Sequence, residues 1–163
     1  MLIVCTKDPT IVDFTKSSES GSKQWGELVI LTGNQTEATI QLIEALKRVN
    51  DPLCLSAHGS DTEIGDEGYG GKYWTWTAKQ IAAHFLDATG SYGGPILIHA
   101  CAKNVSNFSA HLAVALEEVG ALNNVWIYGY NKAIGSDARY PDPAFLNLQV
   151  DLQFSKVGSS KTY

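Results

Sequence analysis

One short apolar run in the second half of the chain constrains the fold more than any other feature. Residues 95–101 read Pro-Ile-Leu-Ile-His-Ala-Cys, with three consecutive aliphatic side chains after two glycines and a proline. Such a run is typical of a strand that is buried on both faces, as interior parallel strands are. In open α/β sheets, ligands bind beyond the carboxyl ends of these strands. The sequence therefore predicts that Cys101 lies where chemistry takes place.

A second run has the same form. Leu53 to Ala57 is apolar apart from one serine, and His58 and Gly59 follow it directly. If this strand lies beside the Cys101 strand and parallel to it, His58 and Cys101 emerge at the same edge of the sheet. That pairing is the central prediction of the sequence.

The segments around these two runs predict alternating helices and strands. Apolar residues recur at three- and four-residue spacings in three helical segments, residues 36–49, 78–88 and 106–119. Short apolar runs predict buried strands at 2–5, 27–32 and 124–130, and strict alternation predicts a half-buried strand from Leu146 to Phe154. Polar, glycine-rich or proline-rich composition predicts loops at 16–22, 59–71 and 135–144, and the whole segment 7–26 is polar.

This order predicts a three-layer α/β/α sandwich with a mostly parallel central sheet, because crossovers between parallel strands are right-handed. The alternating segment near the C-terminus indicates an antiparallel edge strand, whose free edge could pair with a second copy to form a homodimer. With 163 residues, the chain is expected to form a single domain over residues 1–163.

Composition excludes several classes of function. The net charge is −5 and no Lys/Arg cluster offers a phosphate footprint, so we expect no nucleic-acid partner. No apolar run approaches the roughly 20 residues of a membrane span, and the first residues lack the charged segment of a signal peptide. The three cysteines have no metal-ligand spacing, and their odd number indicates a reduced, cytoplasmic setting.

Cysteine nucleophiles need a base, a place for the developing oxyanion, and access to substrate. His58 could be the base, and the main-chain N–H groups of Gly59 and Cys101 could form the oxyanion hole. Glycine after the histidine would let the backbone approach a substrate carbonyl closely. The alternative is that Cys101 is only a small buried apolar residue at a strand end.

The layout of these strands resembles that of the caspase-like cysteine peptidases, which include caspases, gingipains, legumain, separase, the self-processing protease of RTX toxins and CHAT domains. The matching residues are His58-Gly59 and Ala100-Cys101, in which the histidine and the cysteine are 43 residues apart, and the resemblance covers about residues 27–135. It implies a His58–Cys101 dyad that hydrolyses peptide bonds through a thioester acyl-enzyme, without a metal or organic cofactor. His99 stands where caspases carry a glutamine that lines the P1 pocket. Ala102-Lys103 replaces the Arg-Gly of caspases, so a preference for aspartate is not implied.

Several further residues are candidates for a substrate pocket. Asp61 and Glu63 follow His58 closely, and with Asp66 and Glu67 they could orient the imidazole or receive a basic P1 side chain. The alternative is a solvated acidic loop.

Trp76 could wall a substrate groove, and a place in the core is equally compatible with its position. Alternation along its strand puts His99 on the same face as Cys101, which suits either the site or a satisfied core histidine. His84 and His111 lie within predicted helices and are expected to be surface or packing residues.

The residue spacings that other catalytic and nucleotide-binding motifs require are absent from the sequence. No Cys-x5-Arg phosphatase loop, dinucleotide-binding glycine motif, Walker lysine motif, Gly-x-Ser-x-Gly elbow or His-Glu-x-x-His motif is present. The leading prediction is a cysteine endopeptidase that acts on protein or peptide substrates, in the cytoplasm or after delivery into a target cell as a bacterial effector or toxin. The alternatives are a catalytically inactive domain of the same fold with a binding or regulatory role, and a flavodoxin-like ligand binder.

Overall fold

A computed structural model describes residues 1–50, 52–67, 72–88, 92–101 and 108–158, and for Cys101 it describes the main chain. Within these ranges the chain forms eight strands and four α-helices. The strands are β1 (Leu2–Val4), β2 (Leu28–Ile30), β3 (Leu53–Gly59), β4 (Glu63–Gly65), β5 (Thr75–Thr77), β6 (Ile96–Cys101), β7 (Trp126–Tyr130) and β8 (Leu152–Lys156). The α-helices are α1 (Pro9–Lys16), α2 (Gln35–Lys47), α3 (Ala78–Ala88) and α4 (Phe108–Val119), and two 3-10 helices cover Ser22–Trp25 and Pro143–Leu148.

The central sheet has the strand order β2-β1-β3-β6-β7-β8. The first five strands in this order, from β2 to β7, are all parallel to one another. Strand β8 runs antiparallel to β7 at the edge. Strands β4 and β5 continue from the end of β3 as antiparallel additions. The predicted α/β class, the mostly parallel sheet and the antiparallel edge strand near the C-terminus are therefore confirmed.

Apolar side chains cover both faces of the sheet. On one face, Ile3, Leu55 and Ile98 form a buried cluster with residues of α2, α3 and α4. On the other, Leu2, Cys54 and Leu97 are buried with Ile11 of α1, with Trp25 and with residues of the C-terminal segment. Each large side chain that is fully buried contributes about 1.5–3 kcal/mol. Helices thus lie on both faces, which is consistent with a three-layer sandwich.

Two of the predicted helices begin at capping boxes. At the start of α2, the Asn34 side chain accepts a hydrogen bond from the Glu37 N–H at 2.9 Å, and the Glu37 carboxylate accepts one from the Asn34 N–H at 2.9 Å. Before α3, Thr77 and Gln80 exchange the equivalent pair of bonds at 3.2 and 2.8 Å. Both are capping boxes, which satisfy otherwise unpaired N–H groups of the first turn. The predicted start of the next helix at Ser106 lies outside the described residues.

The polar segment 7–26, for which the sequence predicted no helix, contains α1 and a 3-10 helix, and residues 17–21 of the predicted loop lie between them. Helix α1 begins at Asp8-Pro9, where the Asp8 side chain accepts the Thr10 N–H and proline occupies the first helical position. The loop predicted over 59–71 likewise contains β4, which pairs with β3 and β5. Its part from residue 68 onwards lies outside the described residues.

Two strand predictions need correction. Strand β2 is not a fully buried strand, because it lies at the edge of the sheet and its residues are half-buried or exposed. The alternating segment from Leu146 to Phe154 is a strand only from Leu152 onwards. Leu146 is buried within a 3-10 helix, whereas Val150 is 88% exposed, so the alternation there does not reflect a sheet face.

A buried hydrogen-bond network joins the layers on the α1 side of the sheet. The Thr15 hydroxyl donates to the Ile11 carbonyl at 2.7 Å and therefore accepts from the Tyr140 hydroxyl at 2.6 Å. The Tyr140 oxygen lies 2.8 Å from the Ser56 hydroxyl, which donates to it. One phenol thus connects α1, β3 and the C-terminal segment. No helix among the described residues is long and apolar enough to cross a bilayer.

Replacing Tyr140 by phenylalanine is expected to lower the free energy of unfolding by about 1–3 kcal/mol, because the Ser56 hydroxyl loses its buried partner. Urea denaturation measures the change. Tyr73→Phe is the matched control, since Tyr73 is 39% exposed and its substitution should change stability by no more than about 0.5 kcal/mol. Equal losses of stability in the two variants would show that the Tyr140 hydroxyl does not make these stabilising hydrogen bonds.

Candidate functional site

The candidate site lies where β3 and β6 end. These adjacent parallel strands pair in register from Leu53 opposite Ile96 to His58 opposite Cys101. The predicted side-by-side arrangement of the two strands is confirmed, and neighbouring strands in a sheet are about 4.8 Å apart. His58 and the main chain of Cys101 therefore occupy neighbouring positions at the carboxyl edge of the sheet. The predicted nucleophile, the Cys101 thiol, lies outside what the structure describes.

His58 is held between two carboxylates. Its side chain is 12% exposed, and Nε2 lies 2.6 Å from Oδ2 of Asp8. Nδ1 lies 3.5 Å from Oε2 of Glu67, whose side chain is 67% exposed. The hydrogen bond with His58 is the main cause that lowers the pKa of Asp8. A carboxylate on one ring nitrogen orients the imidazole, as catalytic histidines require.

Asp8 reaches His58 because β1 lies next to β3 and parallel to it. The residue follows the end of β1 and forms the N-cap of α1, where its Oδ1 accepts the Thr10 N–H at 2.7 Å. Sequence reasoning missed Asp8, because residues 7–26 read as a polar segment without a helix. The available signal was an Asp-Pro pair soon after an apolar run, which is a helix-start pattern at the carboxyl end of a strand.

A cavity of about 570 Å³ opens beside His58 and Gly59. Its walls are the β3–β4 hairpin and the residues that follow it, together with Ala133 and Ile134 after β7. The two residues predicted for a substrate pocket, Asp61 and Glu63, both line it. So do Asp66 and Glu67, and no lysine or arginine occurs among the described lining residues. The structure thus brings four carboxyl groups to one cavity with the predicted base.

Asp66 fixes the wall of this cavity to the end of β1. Its carboxylate accepts hydrogen bonds from the Thr6 hydroxyl at 2.8 Å, from the Lys7 N–H at 2.6 Å and from the Trp74 N–H at 2.9 Å. Gly65, just before it, has φ +150°, and a Cβ there would lie 2.2 Å from the Trp74 carbonyl oxygen. Glycine is therefore required at this crossing of β4 and β5.

Gly59 lines the cavity and lies opposite Ile64 in the β3–β4 pair. His111, on α4, donates from Nδ1 to the Asp61 carbonyl at 2.9 Å and so ties the tip of this hairpin to a helix. His84 lies on α3 with Nδ1 buried, and burial lowers its pKa. In the part of the chain that the structure covers, no group of three His, Cys, Asp or Glu residues could hold a metal ion.

Two other predicted pocket residues lie away from the cavity. Trp76 is 1% exposed in the core, and its Nε1 donates to the Thr39 hydroxyl at 3.0 Å. His99 is 5% exposed, and its ring lies against Tyr140 and Tyr130 at centroid distances of 4.3 and 5.4 Å. Trp76 thus occupies the core position stated as its alternative, and His99 is a core residue whose Nε2 lacks, within the described part of the chain, the partner of a satisfied histidine.

His99 adjoins a second, much smaller cavity of about 10 Å³, whose lining includes Ser56, Ser136 and Tyr140. Its Nε2 is buried and has no hydrogen-bond partner among the described residues. Burial lowers the pKa of His99 to about 4, because the charged ring would lose its hydration there. His99 is therefore a neutral core residue at physiological pH.

Comparisons with known proteins do not assign the chain to a family. No family model matches it, and no curated protein sequence is significantly similar to it. The functional argument therefore depends on the geometry of the site.

The burial of His99 predicts acid sensitivity. Its folded pKa of about 4 lies below the ordinary value of 6.5, so the unfolded state binds the proton more tightly. Stability should consequently fall as the pH drops from about 6.5 to 4, by about 3 kcal/mol from this group alone. Urea denaturation at a series of pH values measures this loss.

In His99→Phe the part of the pH dependence due to this ring should disappear, whatever the stability of the variant at pH 7. Tyr73→Phe, at an exposed position, should keep the wild-type dependence. An unchanged slope between pH 6.5 and 4 in the His99 variant would show that this ring does not titrate as described.

Proposed function

We propose that this protein is a cysteine-dependent peptidase of the caspase-like type, with His58 as general base and acid and Cys101 as nucleophile. The observation that carries the proposal is the register of β3 and β6, which sets these two residues opposite each other at the ends of adjacent parallel strands. Ligands of such sheets bind at this edge. The mostly parallel sheet with an antiparallel edge strand supports the resemblance on which the proposal draws.

The reaction begins with transfer of the Cys101 thiol proton to Nδ1 of His58, and the thiolate attacks the carbonyl carbon of the scissile peptide bond. The oxyanion accepts hydrogen bonds from the N–H groups of Gly59 and Cys101. The C–N bond then breaks, and the amine leaves with the proton from His58. Water, activated by His58, hydrolyses the thioester and restores the thiol. No step needs a metal ion or an organic cofactor.

The cavity beside His58 is the proposed binding site for the substrate side chain. Its volume of about 570 Å³ accommodates a long side chain, and its carboxyl groups favour a cation. Asp66 is engaged by three hydrogen-bond donors of the protein, whereas the Glu63 carboxylate accepts from the Thr75 hydroxyl at 2.8 Å. We therefore assign lysine or arginine to the P1 position, with Glu63 as its partner in the cavity. A reducing setting keeps thiols free, and we therefore propose that the reaction takes place inside a producing or a target cell.

The dyad is tested by the reactivity of Cys101 towards iodoacetamide at pH values below the ordinary thiol pKa of about 8.5. We expect rapid labelling of Cys101, located by peptide mass spectrometry, and at least a tenfold slower rate in His58→Ala. Cys5 and Cys54 are fully buried, and burial raises the pKa of both thiols, so they should remain unlabelled. His84→Gln, a control for loss of a histidine that does not line the cavity, should keep the wild-type rate.

His58→Ala and Cys101→Ala should abolish cleavage of a peptide library, and wild-type protein should accumulate an acyl-enzyme that Cys101→Ala cannot form. Slow labelling at Cys101 that is indifferent to His58, with no cleavage, would reject the peptidase. It would favour a catalytically inactive binding or regulatory module instead.

The P1 assignment predicts that fluorogenic peptides with arginine or lysine at P1 are cleaved with higher kcat/KM than matched peptides with aspartate or a neutral residue. Glu63→Gln should raise KM for the basic substrates several-fold and leave the neutral ones nearly unchanged, since an exposed ion pair contributes about 0.2–1 kcal/mol. A preference for aspartate at P1 would contradict this assignment without affecting the dyad.

A further inference from the structure

We propose that Asp8 is a positioning residue that selects the tautomer of His58 in which Nδ1 is the basic nitrogen. The catalytic consequence rests on the proposed function. The assignment of the tautomer depends only on contacts among described residues. Asp8 is thus assigned a role in the site although it lies 50 positions from His58 in the chain.

The two carboxylate oxygens of Asp8 have different partners. Oδ1 accepts the Thr10 N–H at 2.7 Å, and Oδ2 lies 2.6 Å from Nε2 of His58. An ionised carboxylate can only accept hydrogen bonds, and the pKa of Asp8 is lowered, so this group is ionised at neutral pH. Nε2 must therefore carry the proton. In the neutral ring the lone pair is then on Nδ1, which leaves that nitrogen to act as the base.

The Asp8 carboxylate is held in place before any substrate binds. Pro9 occupies the start of α1, and the Asp8 N–H donates to the Thr6 hydroxyl at 3.1 Å. The Thr6 hydroxyl in turn donates to Asp66 in the wall of the cavity. A helix cap and a hydrogen-bonded turn thus set the direction from which Oδ2 meets the ring. Such preorganisation is what an orienting residue must supply.

The charged groups around the ring are Asp8, from the start of α1, and Glu67, after β4. Glu67 is less suited to set the tautomer, because its side chain is 67% exposed and its oxygen lies 3.5 Å from Nδ1. Asp8 is 30% exposed and nearly 1 Å closer to its nitrogen. The nearby cation of Lys7 is directed to Asp66 and to the Lys72 carbonyl instead. Asp8 therefore has a stronger effect than Glu67 on which nitrogen of His58 carries the proton.

Substitution by asparagine separates the positioning role from the capping role. Because the Thr10 N–H retains the side-chain oxygen, the amide nitrogen of Asp8→Asn faces Nε2. An amide nitrogen donates, so Nε2 must become an acceptor and the ring proton moves to Nδ1. Asparagine is as good an N-cap as aspartate, whereas alanine costs about 1 kcal/mol at this position.

The two roles predict opposite orders for the variants. If Asp8 only caps α1, Asp8→Asn is milder than Asp8→Ala in every measurement. If Asp8 positions His58, Asp8→Asn is the more stable variant and yet the less active one. We expect a loss of kcat on the order of 10⁴ for Asp8→Asn, the size that the same change produces in a Ser-His-Asp triad. A smaller loss is expected for Asp8→Ala, whose ring is free to populate both tautomers.

Nitrogen-15 NMR of the histidine side chains reads the tautomer directly. The chain has four histidines, and His58→Gln identifies the His58 signals by their disappearance. Measured in a Cys101→Ala background, neutral His58 should show a protonated Nε2 with Asp8 and a protonated Nδ1 with Asp8→Asn. Glu67→Gln should leave the tautomer unchanged.

Asp142→Asn is the matched control for capping. Asp142 also precedes a proline at the start of a helical turn, and its Oδ1 accepts the Ala144 N–H at 2.9 Å. This variant should alter neither the tautomer nor kcat. An unchanged His58 tautomer in Asp8→Asn, or activities that follow the order of stability, would overturn the proposal. Since the NMR measurement needs no turnover, absence of peptidase activity in the wild type would reject the proposed function alone.

Discussion

The parallel pairing of β3 with β6 is the constraint on which the rest of the structure depends. Alternate residues of these strands face the two apolar clusters, with Leu55 and Ile98 on one side and Cys54 and Leu97 on the other. A shift of one residue would exchange the two faces of a strand, so the packing of both clusters specifies the register. The same register sets His58 opposite Cys101 at the end of the pair. The geometry of the candidate site is thus a consequence of core packing.

Three neighbouring strand ends supply the site with different groups. Strand β3 carries His58, β6 ends at Cys101, and β1 leads into the helix cap that holds Asp8 against the imidazole. Parallel strands deliver their carboxyl ends to one edge, which is why groups from distant parts of the chain meet there. The β3–β4 hairpin adds the acidic wall, and Asp66 secures that wall to the segment after β1.

His58 and His99 show how burial separates two histidines of one sheet. His58 lies at the rim with carboxylate partners and a cavity beside it. His99 lies two residues before Cys101, packed between tyrosines with a buried nitrogen that the described residues leave without a partner. Burial favours the neutral form of an imidazole, because the charged ring would lose its hydration there, and the pKa of His99 is lowered for this reason. Their sequence contexts are similar, and the difference comes from what packs around them.

Local patterns were sufficient to predict β3, β6 and α3, because a continuous apolar run or a 3.6-residue period indicates burial directly. The caps at Asn34 and Thr77 are local as well, since their hydrogen-bond partners lie three positions further along the chain. Patterns failed where the decisive partner was distant in the chain. Helix α1 has only eight residues, too few for its apolar spacing to indicate a helix. The alternation after Leu146 resembles that of a strand, although Val150 is exposed to solvent. Strand order decided that β1 lies beside β3, and only that neighbour brings Asp8 to His58. Such contacts depend on which strands pair and in what register, and a sequence pattern read one segment at a time contains neither.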